Sequence, residues 1–173
     1  MKISQLAIPA AALFLALAGS SAQASIMTFN IGLSGSQAVL PNSSTASGTA
    51  TVVVDDVLDT VSVTLAFTGL TGGNASAAHI HCCVATTANG PVVIPFTGFP
   101  SATSGTYSKL FSGVSTANIA GIEAGQAYIN IHNSSFSGGE IRGDIVTPEP
   151  ATYGMITLAL GGVMALRRRL RKY

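Results

Sequence analysis

Val61-Ser62-Val63-Thr64-Leu65-Ala66-Phe67 decides the fold. Val61, Val63, Leu65 and Phe67 alternate with Ser62, Thr64 and Ala66. Successive side chains of a strand point to opposite faces, so a period of two with one apolar face marks a half-buried strand. Gly69 and Gly72-Gly73-Asn74 follow, residues that tolerate positive φ and end the run. Upstream, Met27, Phe29, Ile31 and Leu33 alternate with Thr28, Asn30, Gly32 and Ser34 in the same way. Residues 49–54 form a short β-branched run stopped by Asp55-Asp56, and residues 57–60 turn the chain.

Downstream, residues 77–82 read as a further strand. Gly90-Pro91, Pro95, Gly98 and Pro100 make most of 86–104 a loop, with a short strand at 92–94. A strand is expected at 106–111, and a helical turn or long connection at 115–123, ending at Gly125. Ala127, Ile129 and Ile131 then alternate with Tyr128, Asn130 and His132. A Gly138-Gly139 turn leads into 140–146, with Ile141 and Ile145 inward and Glu140, Arg142 and Asp144 outward as a cross-strand ion pair or turn anchor. About seven to eight short strands with glycine-rich turns predict an all-β fold, an antiparallel Greek-key β-sandwich or barrel, with the two-sheet sandwich favoured. No helical stripe is long enough for an α/β domain.

The chain ends are of another kind. Lys2 precedes an apolar core over 6–18, then Ala22-Gln23-Ala24. A charged start, a short hydrophobic region and an A-x-A site form a signal peptide, cut between Ala24 and Ser25. At the other end, Thr147-Pro148-Glu149-Pro150 leads into an apolar run over 151–166, closed by Arg167-Arg168-Arg169-Leu170-Arg171-Lys172. The run is slightly short of the roughly 20 residues that comfortably span a bilayer. The terminal cations would hold its end on the cytoplasmic side. The expected layout is a signal peptide at 1–24, a β domain at 25–146 and a sorting tail at 147–173 with a transmembrane segment at 151–166. Both hydrophobic ends are expected to be helical.

Removing the ends changes the charge. Of eight Lys and Arg, only Lys109 and Arg142 stay, against the seven acidic residues Asp55, Asp56, Asp59, Glu123, Glu140, Asp144 and Glu149. Two cations against seven anions leave a net charge near −5, with no basic stripe to neutralise phosphates, which argues against nucleic acid.

The three histidines are the candidate chemistry. His79 and His81 flank Ile80 and share one side of a strand, with Ala78, Ile80 and Cys82 on the other. His132 shares a face with Asn130 and Tyr128, opposite the isoleucines. The apolar partners take the core, which leaves the imidazoles on the outer face. If the two strands are neighbours, three imidazoles converge there, a donor set that suits copper, zinc or nickel. Cys83 joins that face if the strand continues past Cys82.

Cys82-Cys83 leaves four readings open: a vicinal disulfide in a turn, free thiols, soft metal ligands beside the histidines, or a bridge to another chain. Neighbouring Cα atoms lie about 3.8 Å apart across a trans peptide, below the roughly 4.4–6.8 Å of ordinary disulfides. An exported chain favours oxidation, and with it the vicinal disulfide. Catalytic signatures are missing: there is no G-x-S-x-G, no H-E-x-x-H and no phosphate-cradling glycine loop, so an enzyme is not expected. Asp55, Asp56 and Asp59 read as a solvated hairpin turn rather than a calcium loop.

Two family resemblances draw these features together. The Pro148-Glu149-Pro150 hinge, apolar run and basic end resemble the PEP-CTERM sorting signal of exopolysaccharide-producing Gram-negative bacteria, in which an exosortase removes the tail. The body resembles the CHRD domain. The matching elements are Leu33-Ser34-Gly35 to Pro41, Ser47-Gly48-Thr49-Ala50, Leu65-Ala66-Phe67-Thr68-Gly69-Leu70, Ala78-His79-Ile80-His81, and Gly138-Gly139-Glu140-Ile141-Arg142-Gly143-Asp144-Ile145. Where the family usually has a glycine after the second histidine, this chain has Cys82-Cys83. The CHRD resemblance implies a β-sandwich and assigns no activity. A faint likeness to copper/zinc superoxide dismutases fails on ligand number, because three histidines cannot build a two-metal site.

The expected protein is therefore an exported CHRD-domain protein with a structural or binding role at the envelope or matrix. The alternative is a single-site metal-binding or redox protein using the strand histidines, with copper or zinc as its cofactor. Its expected partners are signal peptidase and exosortase, the inner membrane transiently, and exopolysaccharide or other surface proteins.

Overall fold

The computed structural model describes residues 26–146. The expected signal peptide, sorting tail and apolar segment lie outside the described residues. The elements run β1 (Ile26–Ser34), a 3-10 turn (Gly35–Gln37), β2 (Ser47–Asp55), β3 (Thr60–Thr68), β4 (Ala75–Cys82), β5 (Val92–Pro95), β6 (Gly105–Ser112), α1 (Thr116–Glu123), β7 (Ala127–Asn133) and β8 (Ile141–Ile145). The stretch that decides the fold is β3, with Val61, Val63, Leu65 and Phe67 all buried. Among the described residues no helix is long and apolar enough to cross a membrane.

The strands form one antiparallel sheet in the order β5-β4-β7-β8-β1-β2-β3-β6. The all-β antiparallel architecture is as expected, but the favoured division into two sheets gives way to a single sheet that curls into a barrel-like body. Side chains bridge its two end strands. Phe96, just past β5, stacks on Tyr107 of β6 with ring centroids 5.1 Å apart. The Tyr107 hydroxyl donates to the Thr97 carbonyl, and the Lys109 ammonium donates to the Thr97 hydroxyl.

Inside lie Phe29, Ile31 and Leu33 of β1, Val52 and Val54 of β2, and the apolar face of β3. Ile80, Ile129, Ile131, Ile141 and Ile145 complete the core from the other half of the sheet. Each fully buried aliphatic side chain contributes about 1.5–3 kcal/mol. The helix α1 starts where the Ser115 hydroxyl accepts from the Asn118 amide, and buries Ile119 and Ile122. The acidic turn after β2 is a local hydrogen-bonded hairpin: the Asp55 carboxylate accepts from the amides of Val57 and Leu58. Asp59 takes up a left-handed conformation there, with φ of 51°.

Candidate metal centre

The sheet makes β4 and β7 neighbours and sets their register. His81 lies opposite Tyr128, His79 opposite Asn130, and Ala77 opposite His132. His132 is thus diagonal to His79 on the same face, within reach of its side chain. Ala78, Ile80 and Cys82 fill the opposite, buried face. Ring centroids are 5.2 Å apart for His79 and His132, 5.6 Å for His79 and His81, and 6.1 Å for His81 and His132. One ring nitrogen from each residue lies within 4.8 Å of the other two.

Hydrogen bonds fix two of the three rings. His81 Nδ1 lies 2.8 Å from the Gly90 carbonyl and His132 Nδ1 lies 2.8 Å from the Ser137 carbonyl. A carbonyl can only accept, so both Nδ1 atoms carry the proton and both Nε2 atoms present a lone pair. Those two Nε2 atoms and His79 Nδ1 are buried with no hydrogen-bond partner among the described residues. With His79 protonated at Nε2, its Nδ1 supplies the third lone pair. Three orphaned acceptors side by side are costly unless something positive sits between them. Backbone carbonyls orienting imidazoles from behind are the usual outer support of a metal ligand.

The imidazole face is the one expected, but it is not bare. Residues 83–91 fold over it and leave His81 buried. This roof is held at several points. The Gly90 amide donates to the Tyr128 hydroxyl, the Cys82 amide to the Pro91 carbonyl, and the Val84 amide to the Gln126 carbonyl. From beneath, Arg142 donates to the carbonyls of Thr86 and Ala88.

Glu140 and Arg142 take the outer face, as expected, but loops cover that face, and the ion pair joins Arg142 to Asp144 along β8 instead of crossing between strands. Both are buried. Arg142 bonds Asp144 at 2.9 Å and lies over the Tyr128 ring, 3.5 Å from its centroid. Tyr128 in turn stacks on His81 with planes within 2° and centroids 4.7 Å apart. Glu140 accepts from the Ser44 and Thr71 hydroxyls, the amides of Thr71 and Gly72, and Asn133 Nδ2. It thereby ties two loops and the end of β7 to the start of β8.

Electrostatics agree with neutral rings at His79 and His81. Burial lowers the His79 pKa below 6.5, and repulsion from His132 and His81 adds to it. Burial also lowers that of His81; the Gly90 bond opposes this, while His132 and Arg142 reinforce it. Burial alone would raise the Glu140 pKa, but its hydrogen bonds from Ser44, Thr71 and Gly72 prevail and bring it to about 2.

Cys83 does not join the histidines, which corrects its place in the expected ligand set. The strand ends at Cys82, and Cys82 and Cys83 are joined to each other in a vicinal disulfide. Cys83 Sγ lies 4.0 Å from both the Ala117 carbonyl and Asn118 Oδ1, on the α1 side. A Cβ on Gly121 of α1 would overlap both sulfurs, so the helix packs directly on the disulfide.

Gly90, Tyr128, Ser137 and Arg142 support the site, and sequence reasoning assigned none of them to it. Tyr128 was detectable, because it shares parity with His132; the carbonyls of Gly90 and Ser137 leave no side-chain signal. The residues present fit a single transition-metal ion: three neutral nitrogen donors, two with fixed tautomers, and no competing charge on the lone pairs. No curated protein and no solved structure matches the chain. The CHRD domain family model matches residues 29–145. That span takes in every strand that positions the imidazoles, and the chain belongs to the CHRD domain family.

Proposed function

We propose that this CHRD domain is a non-catalytic, extracellular-type binding module whose ligand is one transition-metal ion, held by His79, His81 and His132. The observation that carries this reading is the set of three buried, unpartnered ring nitrogens on adjacent strands. A purely structural cluster of histidines would spend those nitrogens on hydrogen bonds. Isothermal titration of the full chain in mild detergent with zinc, with copper(II) and, anaerobically, with copper(I) tests it, alongside His81→Ala. One ion per chain, lost in the variant, supports the reading; equal weak uptake by both proteins ends it.

The export context rests on the two ends of the sequence. The Ala24–Ser25 cleavage site supports release by signal peptidase. The Pro148-Glu149-Pro150 tail supports transient anchoring in the inner membrane, followed by exosortase processing. Delivery to the surface or matrix of a Gram-negative cell places the module among exopolysaccharide and other surface proteins. Fractionation of cells expressing the chain without residues 151–173 tests this. Altered location with an intact fold supports the tail as an address label; an unfolded domain refutes it.

A further inference from the structure

We infer that the three-histidine centre is a cuprous site, taking copper(I) with three nitrogen ligands and no water, an inference that rests on the metal reading above.

Three observations point to a low-coordinate, singly charged ion. First, the lone pairs that would bind it are buried. His79 Nδ1, His81 Nε2 and His132 Nε2 are each buried and turned in among the three rings, with His81 also covered by the roof, although His79 and His132 as whole residues are only half-buried. Zinc bound by three histidines usually completes a tetrahedron with water, and needs an open side to do so. Copper(I), a filled-shell ion with no geometric demand, is satisfied by two or three ligands in a closed pocket.

Second, the donor set is neutral. Among the described residues, no carboxylate or cysteine joins the three imidazoles in a metal-sized group. Both cysteines are committed to the disulfide against α1. A dication here would keep its full charge in a partly buried place, and the cost of burying charge rises steeply with its size.

Third, a fixed cation already stands nearby. Arg142 lies over Tyr128, and Tyr128 is stacked on His81, so the guanidinium is one ring away from a ligand. Its charge is partly offset by Asp144. The remaining repulsion scales with the charge of the incoming ion, so it disfavours a dication twice as much as a monocation.

His79 is held differently from the other two. No hydrogen bond holds its ring among the described residues; only packing against His81 and His132 sets its orientation. The site would thus be two nitrogens fixed by backbone carbonyls and one held by ring packing alone.

The test is anaerobic competition for copper(I) between the full chain in mild detergent and a chromogenic cuprous chelator. It runs beside direct zinc and copper(II) titrations and X-ray absorption of the loaded protein. The expected result is one copper(I) per chain, held at least about a hundredfold more tightly than zinc, with three nitrogen scatterers. His79→Ala, which removes a ring with no hydrogen bond to lose, should give two nitrogen scatterers and weaker binding while the metal-free protein still unfolds cooperatively at pH 8, only the contacts to His81 and His132 being lost. Zinc or copper(II) bound as tightly, or a fourth oxygen scatterer, would overturn the cuprous assignment and leave the metal reading standing. Failure to bind any of the three ions would overturn both.

Discussion

His79 on β4 and His132 on β7 meet edge to face, 5.2 Å apart, each with one buried ring nitrogen that finds no hydrogen-bond partner among the described residues. His81 completes the group from the same strand as His79, held in one tautomer by Gly90. Removing any of the three should therefore remove a ligand and spare the core, whose residues lie on the opposite face of the sheet. Loss of a supporting hydrogen bond alone commonly costs a metal site about 10–100-fold in affinity. His81→Ala should cost more than about a hundredfold on that scale, read by calorimetric titration with copper.

The pH dependence has a definite sign. Both His79 and His81 have folded-state pKa values below 6.5. As pH falls past 6.5 the unfolded chain takes up protons first, so stability of the metal-free protein is full above that pH and declines below it. Metal affinity declines in the same direction, because only neutral imidazole binds. Thermal unfolding with and without copper, from pH 8 down to pH 4, checks both; flat curves across that range would contradict the assignment of buried neutral rings.

Glu140 carries a second, opposite-charge dependence that is independent of metal. Its carboxyl is brought from the ordinary 4.5 to about 2, which makes ionised Glu140 worth on the order of 3 kcal/mol to the fold. That contribution is present above the unfolded value of 4.5 and is lost as pH falls towards the folded value. Glu140→Gln should lower stability by a similar amount at pH 7 and blunt the loss on acidification below pH 4.5. Urea unfolding at pH 7 and pH 3 measures both effects.

Gly139 has φ of 107°, and a Cβ there would overlap the Asn130 side chain, which holds the Gly138 carbonyl. This turn also carries Ser137, the residue that orients His132. Gly139→Ala should cost about 1–3 kcal/mol through strain and crowding. It should also weaken copper binding, because the His132 support moves with the turn. Unfolding and titration on the same sample separate the two.

Alkylation of the unfolded chain without reductant should label neither Cys82 nor Cys83, and after reduction should label both. Two labelled thiols before reduction would contradict the disulfide on which α1 rests.

Much of the fold was readable from the residues because strand periodicity is a local property. The alternation at 61–67 appears as β3, and the placement of His79, His81 and His132 follows from parity alone once β4 and β7 are known to pair. The short strand after Gly90-Pro91 lies where it was expected, and of the two readings open for 115–123, a helical turn or a long connection, the helical one is found. Parity tells which face a side chain takes, not what covers that face. Nothing in the alternation around Arg142 or His81 reveals that residues 83–91 fold back over them, since that depends on backbone carbonyls of Thr86, Ala88 and Gly90. Glu140 escaped for a similar reason: apart from the nearby Asn133, its donors come from loops about 70 to 100 residues away in sequence, which local reading cannot join. The curl of the sheet into one barrel-like body depends on aromatic contacts between its two ends, Phe96 with Tyr107, which are likewise non-local.

Metal content is the most direct test of the central claim. Elemental analysis of the full chain, purified from its native compartment without chelators, would be compared with a His79→Ala/His81→Ala variant prepared identically. One copper per wild-type chain and none in the variant is the predicted result. A wild-type protein that carries no transition metal, and takes up none when copper is supplied under reducing conditions, would contradict it.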